Sequence, residues 1–161
     1  MSINISALAA DLVEAAGPCN LTLITAESCT GGALAVALTE APQAASRVHG
    51  GFVVYTKQCK SIVLGVPSTL IAAHTAVSEE VAGAMATCAL DRSPASIAMA
   101  ITGVAGPEPD EDGNPVGLVY VAAARRAGPV MVERLNLAGD KAAICSGAMA
   151  AVIRLARRCM G

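Results

Sequence analysis

Aromatic side chains are almost missing from this sequence of 161 residues, which has no tryptophan, one phenylalanine (Phe52) and two tyrosines (Tyr55, Tyr120). Single-stranded nucleic acid is usually held on aromatic platforms, so a binder of that kind is not expected. An excess of positive charge is missing too. The net charge of −2 at pH 7 leaves nothing to drive sequence-independent DNA binding, and no nucleic-acid partner is expected. Histidine occurs only at His49 and His74, which restricts any Ser-His-Asp triad to those two positions. The six cysteines (Cys19, Cys29, Cys59, Cys88, Cys145, Cys159) form no C-x-x-C pair, so no zinc site is expected. The N-terminus has no basic segment, and Asp11 and Glu14 interrupt its apolar residues, so no signal peptide is expected. No uncharged apolar run suits a bilayer span of about 18 residues. Reduced thiols, a cytoplasmic location and no membrane partner are the expectation.

What is present is an alanine-rich globular composition. Hydrophobic residues at 54% and charged residues at 15% exclude a disordered chain. A chain of this length buries roughly 68–70% of its unfolded surface, enough for a core without metal or disulfides. Residues 1–161 are expected to form one domain.

Ile5, Leu8, Ala9, Leu12 and Val13 repeat at helical spacing, so residues 2–16 predict a helix closed by Gly17-Pro18. Residues 21–25 are β-branched and read as a strand. Thr30-Gly31-Gly32 opens a helix to residue 39. A second strand is predicted over 51–56, a helix over 57–64 and a short helix over 68–73. Ser78-Glu79-Glu80 joins a hydroxyl cap to acids in a first turn, which predicts a helix to Asp91. Residues 97–101 form a third strand, and the glycines and prolines of 102–115 predict a loop. Strands over 118–123 and 130–137 flank Gly128-Pro129 as a hairpin, and a helix closes the chain over 142–158. The alternation predicts a three-layer α/β/α sandwich with a mixed, mainly parallel sheet and one antiparallel hairpin.

Three segments can carry chemistry. Ala26-Glu27-Ser28-Cys29-Thr30-Gly31-Gly32 joins a strand to a helix, where side chains and N–H groups point outward at a sheet edge. Ser28 fits a nucleophile beside an N–H oxyanion hole; equally, Ser28 or Thr30 fits a simple helix cap. Cys29 is a rival nucleophile without an obvious histidine base. With histidine so scarce, a lysine is the better base for an activated serine. Tyr55-Thr56-Lys57-Gln58-Cys59-Lys60 places Tyr55 and Lys60 where both could face the cleft of Ser28. An ordinary lysine is too basic for this work, and burial or a second cation such as Lys57 must lower it. Both lysines equally fit solvated surface residues. Ile101 to Pro107 runs from a strand into a glycine-rich loop able to cradle an anion, but it matches neither the Walker nor the dinucleotide pattern. The acidic run Glu108, Asp110, Glu111, Asp112 reads as a solvated loop rather than a cation site. No metal or other cofactor is expected.

Taken together and in order, these segments resemble the C-terminal domain of the competence/damage-inducible protein A (CinA) family. Further matching stretches are Gly50 to Tyr55, Leu64-Gly65-Val66, Ala76 to Ala82, Pro115 to Tyr120 and Gly139-Asp140-Lys141. The resemblance covers nearly the whole chain. It implies the deamidation of nicotinamide mononucleotide to nicotinate mononucleotide and ammonia, as in stand-alone members. By this resemblance Ser28 is the nucleophile, with Lys60 and Tyr55 as partners and the Tyr55 hydroxyl relaying a proton. N–H groups at Thr30, Gly31 and Gly32 would meet the oxyanion. Thr102, Gly103, Ala105, Gly106 and Lys141 would hold the ribose phosphate. The nucleotide-pyrophosphatase-like domain of longer relatives has no counterpart in this sequence, so that activity is expected to be absent. Two departures stand out: Lys57 where the family usually has asparagine, and Lys141 where it often has arginine. They keep a second reading open, a non-catalytic nucleotide- or partner-binding module on the same fold. The low charge also predicts a homodimer.

Overall fold

The computed structural model describes residues 2–161. Among the described residues seven helices and five strands follow one another as α1 (Ile5–Ala16), β1 (Leu23–Glu27), α2 (Ala33–Thr39), α3 (Ala44–Arg47), β2 (Val48–Val53), α4 (Lys57–Ile62), α5 (Ser68–His74), α6 (Glu79–Asp91), β3 (Ile97–Gly103), β4 (Leu118–Arg125), β5 (Val130–Asn136) and α7 (Lys141–Cys159). The sheet order is β2-β1-β3-β4-β5. β1 pairs in parallel with β2 and β3, whereas β4 runs antiparallel to both β3 and β5. The α/β class, the mixed sheet and the β4–β5 hairpin match the sequence expectation.

Alternation along the strands builds the layers. On one face Leu23, Ile97, Met99, Ile101, Val119 and Val121 pack under α1, α2 and α7. On the other, Ile24, Ala26, Ala98, Ala100, Ala122 and Ala124 lie under α6, joined by Val54, Leu64 and Ile71. The small alanines allow α6 to sit close to the sheet. Helix starts are capped as their sequences suggest: Asn4 Oδ1 accepts from Ala7 N at 2.9 Å, Ser78 Oγ from Val81 N at 3.3 Å and Asp140 Oδ1 from Ala143 N at 2.9 Å.

The boundaries differ where tertiary pairing competes with local composition. The first strand is Leu23–Glu27 rather than 21–25, because its register with β3 runs from Leu23–Ile97 to Glu27–Ile101. The second is Val48–Val53 rather than 51–56. It ends early because the Thr56 hydroxyl caps α4, accepting from Cys59 N at 3.0 Å. His49 is therefore an edge-strand residue and not part of a loop. The short α3 was not foreseen. β3 also runs through Gly103, which the sequence places in a loop. A Cβ there would stand 2.9 Å from both Leu118 O and Val119 Cα, so only glycine lets β4 approach so closely.

Candidate active site

β1 lies between β2 and β3, and its carboxyl end opens onto a crevice at the centre of the parallel half, where ligands of open α/β sheets bind. Ser28 follows β1 immediately. Its N–H donates to Ile101 O at 3.0 Å, while Glu27 O accepts from Val54 N at 2.8 Å. All three strand ends are thus pinned around the serine.

Lys60 reaches it from α4. Its Nζ donates to Ser28 Oγ at 2.9 Å, to Val54 O at 3.0 Å and to Tyr55 O at 3.3 Å. The residue is only 1% exposed. Burial lowers its pKa from 10.5 to about 8, against the raising effect of the Cys29 and Cys59 thiols. Among the described residues no carboxylate bonds the ammonium. About a tenth of the amine is then neutral at pH 7, far more than for an ordinary lysine, and neutral is the state a general base needs.

Lys57 has a different position. Its Nζ bonds Asp112 (2.9 Å to Oδ1, 2.7 Å to Oδ2) and lies 3.4 Å from Glu111. The Asp112 hydrogen bond raises its pKa. Burial, rather than Lys57, lowers the Lys60 pKa. The acidic run is not simply solvated: Lys57 ties it to α4. Asp110 Oδ1 folds the run by accepting from Asp112 N at 3.0 Å and Asn114 N at 2.8 Å.

Ser28, Lys60 and this loop enclose a cavity of about 330 Å³. Tyr55, Thr102, Gly103, Ala105, Gly106 and Lys141 line it. Tyr55 needs a correction in detail. The residue is 67% exposed, and its main-chain carbonyl, not its hydroxyl, meets both Ser28 Oγ (3.4 Å) and Lys60 Nζ (3.3 Å). The Thr102 hydroxyl donates to Ala76 O at 2.8 Å.

Thr30, Gly31 and Gly32 are not in the lining. The Thr30 hydroxyl is spent on Glu27 at 2.7 Å, Gly31 N donates to Ser28 O at 3.1 Å, and the two glycines turn the chain at φ of 59° and 101°. Glu27 is the residue that sequence reasoning missed. It is fully buried, and its carboxylate accepts from Thr25 Oγ1 (3.1 Å), Thr30 Oγ1, Leu34 N (2.9 Å) and Ala35 N (3.0 Å). It caps α2 in place of Ser28 and Thr30, which frees Ser28 for the cavity. The signal was an acid at a strand end with a threonine three residues on.

Cys29 is buried, and burial pushes its thiol up to about 12, which disfavours it as a nucleophile at neutral pH. Neither histidine lines the cavity; His74 Nδ1 lies 3.6 Å from Glu80 instead. Among the described residues no three His, Cys, Asp or Glu side chains are grouped to hold a metal ion, and no helix is long and apolar enough to cross a membrane.

The CinA C-terminal domain model matches residues 5–160. The chain belongs to that family. A putative competence-damage inducible protein of Desulforamulus reducens is 43% identical over 85% of this chain and 33% of its own length. A CinA-like protein of Mycobacterium sp. (strain JLS) is also 43% identical, over 86% of this chain and 33% of its own. This chain thus spans about a third of the curated relatives it matches. Among solved structures, a CinA superfamily protein from Klebsiella pneumoniae 700603 superposes with a TM-score of 0.93 at 35% identity, covering 98% of both chains. One from Escherichia coli gives 0.91 at 36% identity, over 97% of this chain and 90% of that one.

Proposed function

We propose that this CinA-family domain is a serine amidohydrolase that converts nicotinamide mononucleotide to nicotinate mononucleotide and ammonia. The observation that carries the reading is the buried Lys60 amine, 2.9 Å from Ser28 Oγ at the wall of an open cavity. The substrate rests on the family resemblance, and the chemistry rests on the pair.

In this reading the neutral Lys60 amine takes the Ser28 hydroxyl proton as Oγ attacks the carboxamide carbon. Negative charge on the carbonyl oxygen meets main-chain N–H groups. That of Cys29, a lining residue next to the nucleophile, meets no main-chain acceptor among the described residues. The Lys60 ammonium then protonates the departing nitrogen, and the C–N bond breaks to leave an acyl ester on Ser28 and free ammonia. Water attacks the ester with Lys60 again accepting the proton, and collapse returns Ser28 and the carboxylate product. Val54 O and Tyr55 O hold the amine in line throughout. Lys141 stands at the cavity wall with no ion-pair partner among the described residues and would meet the substrate phosphate, whereas Lys57 is engaged by the acidic loop.

The test is ammonia release from nicotinamide mononucleotide by the purified protein without added metal, with Ser28→Ala as the control. Release at the rate of the control would overturn the reading in favour of a binding module.

A further inference from the structure

β3 and β4 are joined just past the strand ends, beside the Ser28 cavity. Val104 N donates to Leu118 O at 2.9 Å, and Gly117 N to Val104 O at 2.8 Å. The chain between them leaves the sheet and returns to the same point, which is the form of an Ω-loop. No side chain from 107 to 115 joins a hydrophobic cluster, although Val104 and Ala105 before them and Leu118 after them do. Polar contacts therefore hold the loop in place.

Those contacts fall into two sets. Inside the loop, Asp110 folds the tip: Oδ1 takes the Asp112 and Asn114 N–H groups, and Oδ2 takes Asn114 Nδ2 at 2.8 Å. Towards the body, Asn114 Nδ2 reaches Thr75 Oγ1 at 3.3 Å, and Lys57 Nζ holds Asp112 and Glu111. Among the described residues Lys57 is the one cation within ion-pair distance of the acidic run. It sits in the first turn of α4, where the helix dipole disfavours a cation, and the facing acids offset that cost. Both partners are partly exposed, and open space between α4 and α5 lies beside them. An ion pair in such a setting is weak and opens readily.

Glu108 and Asp110 to Asp112 line the same cavity as Ser28 and Lys60, so the position of the tip sets the shape of that cavity. We propose that residues 107–115 form a lid on the Ser28 site and that Lys57 is the positioning residue that latches it, through Asp112 and Glu111. Latched, the loop completes the substrate cavity; released, it lets substrate enter and product leave. The lid rests on the amidase reading, whereas the latch does not.

The test reads the loop and the reaction separately. Amide hydrogen exchange is followed at about 0.1 M and about 1 M salt, between which the screening length falls from about 10 Å to about 3 Å. The Asp112 and Asn114 amides are expected to exchange about threefold to fivefold faster in Lys57→Met than in the parent at low salt, the worth of an exposed ion pair. High salt should bring the parent to the rate of the variant, and Lys57→Arg should keep the parent's protection. The Lys60 amide, bonded to Thr56 O at 3.0 Å, should not change, which separates the latch from damage to α4. In turnover, Lys57→Asp is expected to raise KM at least about fivefold with a smaller change in kcat, and Lys57→Asp with Asp112→Lys to restore KM to within about twofold. Equal exchange of the loop amides in parent and Lys57→Met, or a charge-swapped pair as poor in KM as Lys57→Asp alone, would overturn the proposal. A parent without ammonia release would end the amidase reading and the lid with it, and the exchange rates would still decide the latch.

Discussion

Glu27 Oε1 accepts the Thr30 hydroxyl at 2.7 Å, and that bond closes the turn that carries Ser28. The same carboxylate takes two N–H groups of α2, so it bonds four donors from a fully buried position. Glu27→Ala would leave all four without an acceptor. We expect a loss of about 3–5 kcal/mol in unfolding free energy by denaturant titration, with Glu27→Gln losing less. An unfolding midpoint for Glu27→Ala equal to that of the parent would show that the turn stands without it.

Ser28→Ala is expected to abolish ammonia release and to leave nucleotide affinity and the unfolding midpoint close to the parent values. Cys29→Ser should keep most of the turnover, because the buried thiol is pushed up to about 12 and stays protonated. The opposite pattern would make Cys29 the nucleophile.

Lys60→Met removes the proposed base and should lower kcat by at least about two orders of magnitude. Lys57→Met cuts the tie to Asp112 and should cost much less in kcat, with its effect mainly on KM through the loop. Single-turnover kinetics on both variants decide the assignment.

The pH dependence follows from the lowered Lys60 pKa. The amine becomes competent as it loses its proton, so kcat/KM should rise with pH and level off above about 8. Stability has its own sign. The folded state resists the ammonium more than the unfolded state does, so the penalty is fully present below about pH 8 and is relieved as pH rises towards 10.5. Lys60→Met should therefore be the more stable protein near neutral pH, by about 3 kcal/mol at most, and the advantage should shrink over that window. A Met variant less stable than the parent at pH 7 and equally so at pH 10 would contradict the linkage.

Tyr55→Phe keeps the main-chain carbonyl that meets Ser28 and Lys60. Its kcat is expected to stay within about tenfold of the parent, below the roughly 10²–10⁴-fold loss of a general acid–base group. A loss as large as that of Lys60→Met would restore the hydroxyl to a relay.

The sequence by itself determined the class of fold. Alternating apolar runs, the Ser78-Glu79-Glu80 helix start and the Gly128-Pro129 turn are local signals, and they produced helices and strands close to where they were expected. The order of motifs also placed Ser28 and Lys60 among the candidates. Only the tertiary structure decided what each candidate does. Lys57 and Lys60 are three residues apart and chemically alike, but one meets Asp112 at the surface while the other is buried against Ser28. Thr30 looked like a site residue until Glu27 claimed its hydroxyl, and Tyr55 brings its carbonyl to the pair instead of its ring. Burial and hydrogen-bond partners come from residues remote in the chain. They set the Lys60 pKa and the direction of each donor, so no local reading of the sequence contains them.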